Sequence, residues 1–469
     1  MSRVICLGDS DERTRAVGAC LRRLVGDAQA LPEGREDDLR AQVQMLRSAG
    51  RLSSDGTNEI GRKRINYLPS VETKRTLFEA HAGSNWPRRV ERYMEQDVQR
   101  VQGAVFRLPI YERDELVEAF ITDWSPFPAA CAIAIHPSHP LADGCDNEPN
   151  RWTGHYARHV LTGDLLAIWT ADWVRPEFGT GSVIVNPAHS DVDLAFARAV
   201  GLPIRFGLAT EPPSSDPASW LEPPVLNTGY AVRTGIADGE TAESARRIYF
   251  ERLEAAGHAS SYTDRVLPPL PIGSATDLLD LADLELRSVV AQVVDQPLTS
   301  SDVIAASAVD VPELVTLRAL HIEVHGSDMD GSGVLLVQPV AAGAPGDEGS
   351  RERGLALIGA GRLDEVLALK DQQVEQAMRF YDNHEKLGPP EAVDLSAKPP
   401  KRVARILADA RAGQIAPAFT ELYKLQRDLR QKPESVGAGD RYAYFAAAYA
   451  FAGTPVPDGY AVTNVLHHD

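Results

Sequence analysis

Apolar residues recur at helical spacing near both ends of the chain. Within the first 98 residues, Leu39, Val43 and Leu46 share one face of a predicted helix. Near the other end, residues 362–384 read RLDEVLALKDQQVEQAMRFYDNH, which predicts one amphipathic helix. Its apolar stripe comprises Leu363, Val366, Leu367, Val374, Met378 and Tyr381. The pattern therefore predicts mostly helical regions on both flanks.

Between these flanks the pattern changes to short runs rich in Val, Ile and Phe that are punctuated by proline, which is typical of strands. Strands are predicted within GAVFRLPIYERDELVEAFITDW (103–124) and AACAIAIHPSHPL (129–141), with a strand pair in GDLLAIWTADWVRPEFGTGSVIVNPAH (163–189). Helices are predicted at DVDLAFARAVG (191–201) and ETAESARRIYFERLEAAG (240–257). The sequence thus divides into a helical region at 1–101, a β-rich domain at 102–265, and a mixed then helical region at 266–469.

Composition narrows the class of protein. The 469 residues are 43% hydrophobic and 24% charged, and no apolar run is long enough to span a bilayer. The beginning, MSRVICLGDSDERTR, lacks the pattern of a signal peptide, and the four cysteines have no C-x-x-C spacing. We therefore expect a cytoplasmic protein with no membrane or DNA partner, no metal and no cofactor, while its oligomeric state stays open. The net charge of −18 argues against non-specific coating of nucleic acid.

One segment departs from this acidic background. Residues 398–432 hold nine basic residues against three acids, a local charge of about +6. Two interpretations remain open: a solvated helix face, or a patch that contacts phosphates. The candidates for phosphate contact are Lys398, Lys401, Arg402 and Arg405.

The stretch EFGTGSVIVNPAHSDVDLAFARAVGLP (177–203) carries the most specific chemistry. Asp191 and Asp193 follow an apolar strand-like run, where carboxylates are costly unless they hold a cation in a pocket. Asp193 has a second interpretation, as the N-cap of the helix that begins at Leu194.

Five pieces in chain order resemble the editing insertion of leucyl-tRNA synthetase over about 84–265. They are NWPRRVERYMEQDVQRVQGAVFRLPI, AIAIHPSHPLAD, GHYARHVLTGDLLAIWTADWV, FGTGSVIVNPAHSDVDLAFARAVGLPI and ADGETAESARRIYFERLEAAG. The resemblance implies that 102–265 forms a compact, β-barrel-like α+β domain with adjacent termini. It also implies tRNA as the partner, since the pocket of that domain receives the 3′ end of a mischarged tRNA and works without a metal.

The resemblance assigns roles by position. Asp193 matches the aspartate that binds the α-ammonium of the wrong amino acid, and Thr122 matches the threonine-rich strand that contacts the substrate. We expect both to be catalytic and to converge on one cleft with His189. The remaining substrate-binding candidates are Ser190, Asp191, Gly179, Thr180, Gly181 and Trp124. His189 either holds the loop through a hydrogen bond or lies near the terminal adenosine.

The departures from the family are as informative. Where the family has Thr-Thr-Arg-Pro-Asp-Thr, this chain has ITDWSP (121–126), so only Thr122 remains. The synthetase motifs for ATP, His-x-Gly-His and Lys-Met-Ser-Lys-Ser, are not found, which makes aminoacylation improbable. Two functions follow: a free-standing editing hydrolase, or a non-catalytic paralogue that binds or delivers leucyl-tRNA.

Two other motifs are set aside. HIEVH (321–325) spaces two histidines four apart, but its Ile and Val favour a strand rather than a zinc helix. DMDGSGVLL (328–336) begins like a calcium loop, but Pro339 stands where a bidentate glutamate is needed.

Overall fold

The computed structural model describes residues 3–7, 11–25, 35–58, 60–80, 84–142, 144–145, 149–211, 228–277, 284–341, 343–344, 347, 349–388, 399–456, 460 and 465–466. Contacts divide the chain into two compact units. The first comprises Met1–Leu39, Leu77–Asp97 and Leu286–Asp469, and the second comprises Arg40–Thr76 and Val98–Glu285.

The strands are β1 (Val4–Leu7), β2 (Leu52–Thr57), β3 (Lys63–Tyr67), β4 (Gln99–Pro109), β5 (Leu116–Ile121), β6 (Ala132–Ile135), β7 (Trp152–Arg158), β8 (Leu165–Thr170), β9 (Ser182–Val185), β10 (Leu208–Ala209), β11 (Tyr230–Ala231), β12 (Ala259–Val266), β13 (Leu270–Ala275), β14 (Glu285–Leu286), β15 (Val303–Ser307) and β16 (Val334–Val337). The helices are α1 (Glu12–Val25), α2 (Glu36–Ser48), α3 (Val71–Glu79), α4 (Arg88–Arg92), α5 (Asp191–Val200), α6 (Ala242–Ala255), α7 (Ser288–Asp295), α8 (Val311–His325), α9 (Arg351–Gly359), α10 (Asp371–Glu385), α11 (Lys401–Arg411), α12 (Ile415–Gln431) and α13 (Ala438–Ala452).

The first unit is built on a short parallel sheet with the order β1-β15-β16. Parallel strands of this kind are apolar on both faces because helices cover them. The core extends from the sheet into α1 and the helices α9 to α13, where Phe380, Phe419 and Phe451 are among the packed rings. Within this core, the buried guanidinium of Arg13 donates to the carbonyl oxygens of Ala360 and Arg362 at 3.0 and 2.9 Å.

The second unit consists of open sheets together with α5, α6 and most of α2 and α3. The sheets have the orders β12-β4-β5, β7-β8-β6-β9 and β14-β13-β3-β2, beside the short pair β10-β11. In β7-β8-β6-β9, only β6 and β8 run parallel. Phe106 and Phe127 lie in the core between the sheets at a centroid distance of 4.7 Å, and α6 adds Leu253 to it.

The β4–β12 pairing brings the two ends of the β-rich domain together. The antiparallel register pairs Gln102 with Thr263 and Gln99 with Val266. The chain therefore enters and leaves this region at one place, as an insertion into another fold requires. The mixed α+β class is confirmed. The barrel is not confirmed, because none of the described sheets closes on itself.

Three expectations from the pattern differ from the structure. The helix predicted over 362–384 begins only at Asp371, and the residues before it pair Leu367 with Val340 as a parallel bridge. HIEVH lies in α8 and not in a strand. The 1–101 region contains the hairpin β2–β3, which belongs to the second unit. The division at 101/102 and 265/266 stays a prediction about how far the synthetase-like part extends.

A buried ion pair joins distant segments of the second unit. Lys74 Nζ lies 2.7 Å from Asp264 Oδ1, and the two side chains are 6% and 1% exposed. The Gly179 N–H donates to Asp264 Oδ2 at 2.7 Å, and Lys74 also donates to the carbonyl oxygen of Glu177. Burial lowers the pKa of Lys74, although Asp264 acts in the opposite direction. One carboxylate thus connects α3, β12 and the turn before β9.

We expect replacement of Asp264 with Asn to lower the free energy of unfolding by about 3 kcal/mol, because it leaves a buried ammonium without its counter-charge. Urea denaturation checks this value. Glu251→Gln is the control, since it removes a carboxylate from the exposed pair with Arg247 and should cost under about 1 kcal/mol. Equal losses in the two variants would mean that the buried pair does not stabilise the unit.

Candidate functional site

The acidic loop is formed by the connection from β9 to α5. Asn186, Pro187, Ala188 and His189 follow the strand, and Ser190 is the N-cap of α5, with its hydroxyl accepting from the Asp193 N–H at 3.3 Å. The interpretation of Asp193 as the N-cap is therefore wrong. Asp193 lies at the third helical position, where the backbone N–H groups favour a negative charge. Asp191, at the first position, is exposed.

The carboxylate of Asp193 is buried beside the end of β9. Its Oδ2 accepts from the Asn186 N–H at 2.7 Å, and the residue is only 8% exposed. Burial raises the pKa of Asp193 to about 6. Among the described residues it has no salt-bridge partner. A buried acid without a counter-charge is what a cationic ligand would neutralise.

His189 links the loop to a neighbouring segment. Its Nε2 accepts from the Gly207 N–H at 3.0 Å, so the ring is held with that nitrogen unprotonated. Gly207 in turn packs closely on Pro126 and Ala129, since an added Cβ would lie 3.0 Å from atoms of both. Of the two interpretations, the contact supports the one in which His189 holds the loop. Proximity to adenosine stays a prediction.

The Gly179–Gly181 turn contacts the protein's own β5. Gly179 and Gly181 have φ of +61° and +70°, which glycine adopts without strain. A Cβ on Gly179 would lie 2.4 Å from Phe120 Cβ, and Thr180 Oγ1 accepts from the Phe120 N–H at 3.1 Å. The lack of bulk predicted from the sequence therefore serves packing against Phe120. A contact of the turn with substrate stays a prediction.

The turn and Asp193 lie at opposite ends of β9. Gly181 precedes the strand, and Asn186, whose N–H contacts Asp193, follows it. Gly181 and Asn186 are five residues apart along the strand, which corresponds to about 16 Å. The strand therefore separates two of the predicted substrate contacts. That both line one cleft with Thr122 stays a prediction.

Thr122 and Trp124 follow β5. Thr122 is exposed just beyond the strand end. Trp124 instead packs inward, with its ring 6.1 Å from Phe106 and 5.7 Å from Phe250, and its Nε1 donates to the Arg246 carbonyl oxygen at 2.8 Å. The indole thus attaches this segment to α6. Its predicted role in substrate binding is untested, and these contacts hold the ring in the core.

The basic segment forms the antiparallel helices α11 and α12 of the first unit. Arg402 pairs with Asp428 at 3.0 Å and Arg405 with Asp409 at 3.7 Å, while Lys401 is exposed. Lys398 lies outside the described residues. Two of the predicted phosphate contacts, Arg402 and Arg405, are therefore already paired with acids.

A cleft of about 720 Å³ in the first unit supplies a second basic surface. It is lined by β16, by the loop between α11 and α12, and by Arg88 and Arg89. Both arginines are exposed, and in the described part of the chain neither has an acidic partner. The cleft also contains Arg362, which pairs with Asp364 at 2.7 Å.

The histidine pair in HIEVH has a local explanation. In HIEVH, His321 Nε2 accepts from the Leu298 N–H at 3.0 Å, so the ring supports a loop. Across the described residues, no group of three or more His, Cys, Asp or Glu side chains could hold a metal ion. None of the described helices is long and apolar enough to cross a bilayer.

Sequence reasoning missed two contributors. Asp264 meets Lys74, a residue 190 positions away, and no local pattern signals that pairing. Asn186 received no role of its own from the sequence. The feature that could have identified it is a polar side chain directly after the apolar run VIV, at a position that is still buried.

Comparison with known proteins agrees with the motifs. Residues 150–254 match the family model described as leucyl-tRNA synthetase, editing domain. Leucine–tRNA ligase of Sorangium cellulosum is 32% identical over 180 residues, covering 35% of this chain and 20% of that protein. The enzyme of Nitratidesulfovibrio vulgaris strain Hildenborough is 27% identical over 208 residues, covering 37% and 24%. The chain thus spans about a quarter of the length of these relatives.

A leucyl-tRNA synthetase of Agrobacterium radiobacter K84, solved in a ternary complex with tRNA and LeuAMS, is similar at a TM-score of 0.39 and 14% identity, covering 96% of this chain and 84% of that one. The sequence match identifies the 150–254 segment as similar to the leucyl-tRNA synthetase editing domain. The resemblance inferred from the motifs is confirmed for that part of the chain.

The raised pKa of Asp193 gives a pH-dependent prediction. Between about pH 4 and 6 the folded chain holds a proton that the unfolded chain releases, so Asp193 lowers stability as the pH rises through this range. We expect Asp193→Asn to be more stable than wild type at pH 7.5, by roughly 2 kcal/mol, and equal to it near pH 4. Denaturation across this pH range measures the difference. Asp191→Asn, an exposed acid on the same helix, should show no such trend; a trend in both variants would place the effect in the overall charge.

Proposed function

We propose that this chain is a free-standing editing protein that binds the 3′ end of aminoacyl-tRNA and hydrolyses a mischarged ester. The observation that carries the proposal is Asp193, a buried carboxylate without a counter-charge inside the segment that matches the editing domain. An α-ammonium placed against its Oδ1 would neutralise it through a charge-assisted hydrogen bond.

Hydrolysis of an aminoacyl ester needs few catalytic groups from the protein. An aminoacyl ester is activated already, so holding it and one water in the reactive geometry supplies much of the rate. In this mechanism Asp193 fixes the amino end of the substrate. Thr122 and the backbone of Gly179–Gly181 orient the ester and the water, and Ser190 fixes Asp193 through the helix start. No side-chain nucleophile and no metal takes part.

A non-catalytic paralogue that binds or delivers leucyl-tRNA is the second candidate. It is favoured by the 121–126 strand end, where Thr122 is the only threonine and Trp124 is engaged in the core. Such a protein would keep the recognition of the ammonium and lose the positioning of water. ATP-dependent ligation is not proposed, because the motifs for it are not found in the sequence.

The two candidates differ in whether the ester disappears. We expect purified protein to release the amino acid from Ile-tRNA or norvalyl-tRNA faster than from Leu-tRNA, and Asp193→Ala to reduce this rate at least about 100-fold, since it removes the only proposed ammonium anchor. Loss of the radiolabelled ester measures the rate. Glu251→Ala is the control, since it removes an exposed acid of α6 that pairs with Arg247. Binding of charged tRNA without ester loss would instead support the paralogue.

The body of the tRNA needs a surface beyond the pocket that takes its 3′ end. We propose the basic helices α11 and α12, with Arg88 and Arg89 of the cleft as a second surface. Among the predicted phosphate contacts, Lys401 is the exposed lysine at the start of α11. Phosphate contacts from such residues would strengthen binding to all tRNAs alike.

Joint replacement of Lys401, Arg402 and Arg405 with Gln tests this surface. We expect weaker tRNA binding and a salt dependence whose slope falls by about one to three, the smaller value applying if the two paired arginines stay with their acids. Titrations at several salt concentrations measure both quantities. A control triple, Arg247, Arg351 and Arg379 to Gln, removes the same charge elsewhere. Identical affinity and slope in the two triples would identify the patch as a solvated face.

A further inference from the structure

Asn186 carries a buried acceptor that the fold does not use. Its backbone is fully engaged, because the N–H donates to Asp193 Oδ2 at 2.7 Å and the carbonyl oxygen accepts from the His189 N–H at 2.9 Å. The residue is 5% exposed, and its side-chain Oδ1 has no hydrogen-bond partner in the described structure. The next residue, Pro187, has no N–H to offer.

Buried polar atoms without a partner are uncommon, because each loses its bonds to water and gains nothing in return. A leucine of similar size would fill the same space without that loss. The fold alone therefore does not account for an amide at position 186.

The unused oxygen belongs to the residue that holds the Asp193 carboxylate. Standard bond lengths put an asparagine Oδ1 at most about 5 Å from its own backbone nitrogen, which places it within about 8 Å of Asp193 Oδ2. The Asp193 carboxylate is supported by the Asn186 N–H and the Ser190 hydroxyl, and it has no cationic partner among the described residues. An acceptor without a donor and a carboxylate without a counter-charge thus belong to the same loop at the end of β9, and a cationic donor is the group that both lack.

We propose that Asn186 Oδ1 accepts a hydrogen bond from the aminoacyl group of the substrate and so acts as a substrate-binding residue. The inference rests on the proposed function, because it places the aminoacyl group against Asp193. The donor is either the α-ammonium, which has three N–H bonds to share, or a hydroxyl on the amino-acid side chain. A leucyl side chain has no such donor, so the two sources can be separated.

The probes are 3′-aminoacylamino-3′-deoxyadenosines, in which an amide replaces the ester and prevents hydrolysis. Leucyl, N-acetyl-leucyl and threonyl forms are titrated calorimetrically into wild type, Asn186→Leu and Asn186→Asp at pH 7.5. Thr170→Val is the control, because it removes a buried hydroxyl of the neighbouring β8 whose bonds to Arg151 are already made.

If the ammonium is the donor, Asn186→Leu lowers the affinity for the leucyl and threonyl probes by about tenfold or more. In that case the N-acetyl probe binds wild type and Asn186→Leu equally weakly, and Asn186→Asp keeps the wild-type affinity. If a side-chain hydroxyl is the donor, Asn186→Leu lowers the affinity for the threonyl probe only. Either result supports the proposal. Unchanged affinity for both forms in a folded Asn186→Leu protein overturns it and leaves the proposed function intact.

Two further readouts complete the test. Thermal unfolding of Asn186→Leu should match or exceed wild type, since the change removes an unsatisfied acceptor, and Asn186→Val replaces it if the leucine variant does not fold. Failure of wild type to bind any of the three probes overturns the proposed function and this inference together.

Discussion

The second unit depends on the carboxylate of Asp264. It sits at the inner face of β12 and takes up Lys74 on one oxygen and the Gly179 N–H on the other. Neither Lys74 nor Asp264 is tolerable alone at this depth, so each fixes the other. β12 pairs with β4 along its length and so brings the two ends of the β-rich domain together. The same strand carries Asp264 and therefore also sets the position of the turn before β9. The four residues of β9 follow this turn, and the loop that leads to Asp193 begins directly after them. The position of the turn therefore fixes where this strand starts.

Two buried carboxylates in this unit therefore have opposite environments. Asp264 is neutralised by an ammonium within hydrogen-bond distance, whereas Asp193 receives backbone and hydroxyl support only. Desolvation then dominates at Asp193 and raises its pKa to about 6. At Asp264 the counter-charge is Lys74 of the same chain. At Asp193 a counter-charge would have to come from a ligand.

Local signals in the sequence were sufficient for much of the architecture. Helices α2, α5 and α6 lie where the sequence pattern predicted them. The strands β8 and β9 were predicted as a pair but are separated in the sheet by β6, since strand order depends on contacts that no short window contains. The same limit explains the error before α10, where Leu367 satisfies helical spacing yet pairs with Val340 of another segment.

At the candidate site, the family resemblance supplied the residues, and the structure adds contacts that the sequence did not predict. Gly179 and Trp124 were predicted to meet substrate, yet their strongest observed contacts are with Phe120 and Phe106 of the protein itself. Such packing cannot be recognised in a single sequence, because a glycine that makes room for a ligand and a glycine that makes room for an aromatic ring are the same residue. The role of His189 was left open for a similar reason, and the hydrogen bond from Gly207 could be known only from the fold.

The remaining question is why the 121–126 segment holds Trp124 beside a single threonine, while the loop after β9 holds a buried acid. A ring such as Trp124 contributes apolar burial and a hydrogen bond to α6, so stability is a sufficient reason for it. Asp193 and Asn186 act in the other direction, since a buried charge without a counter-ion and a buried oxygen without a donor both lower stability. Stability therefore explains the altered strand end and does not explain the end of β9. The two residues belong to the same loop, where the Asn186 N–H donates to Asp193, and a ligand with an ammonium is the simplest group that would supply both the missing donor and the missing counter-charge.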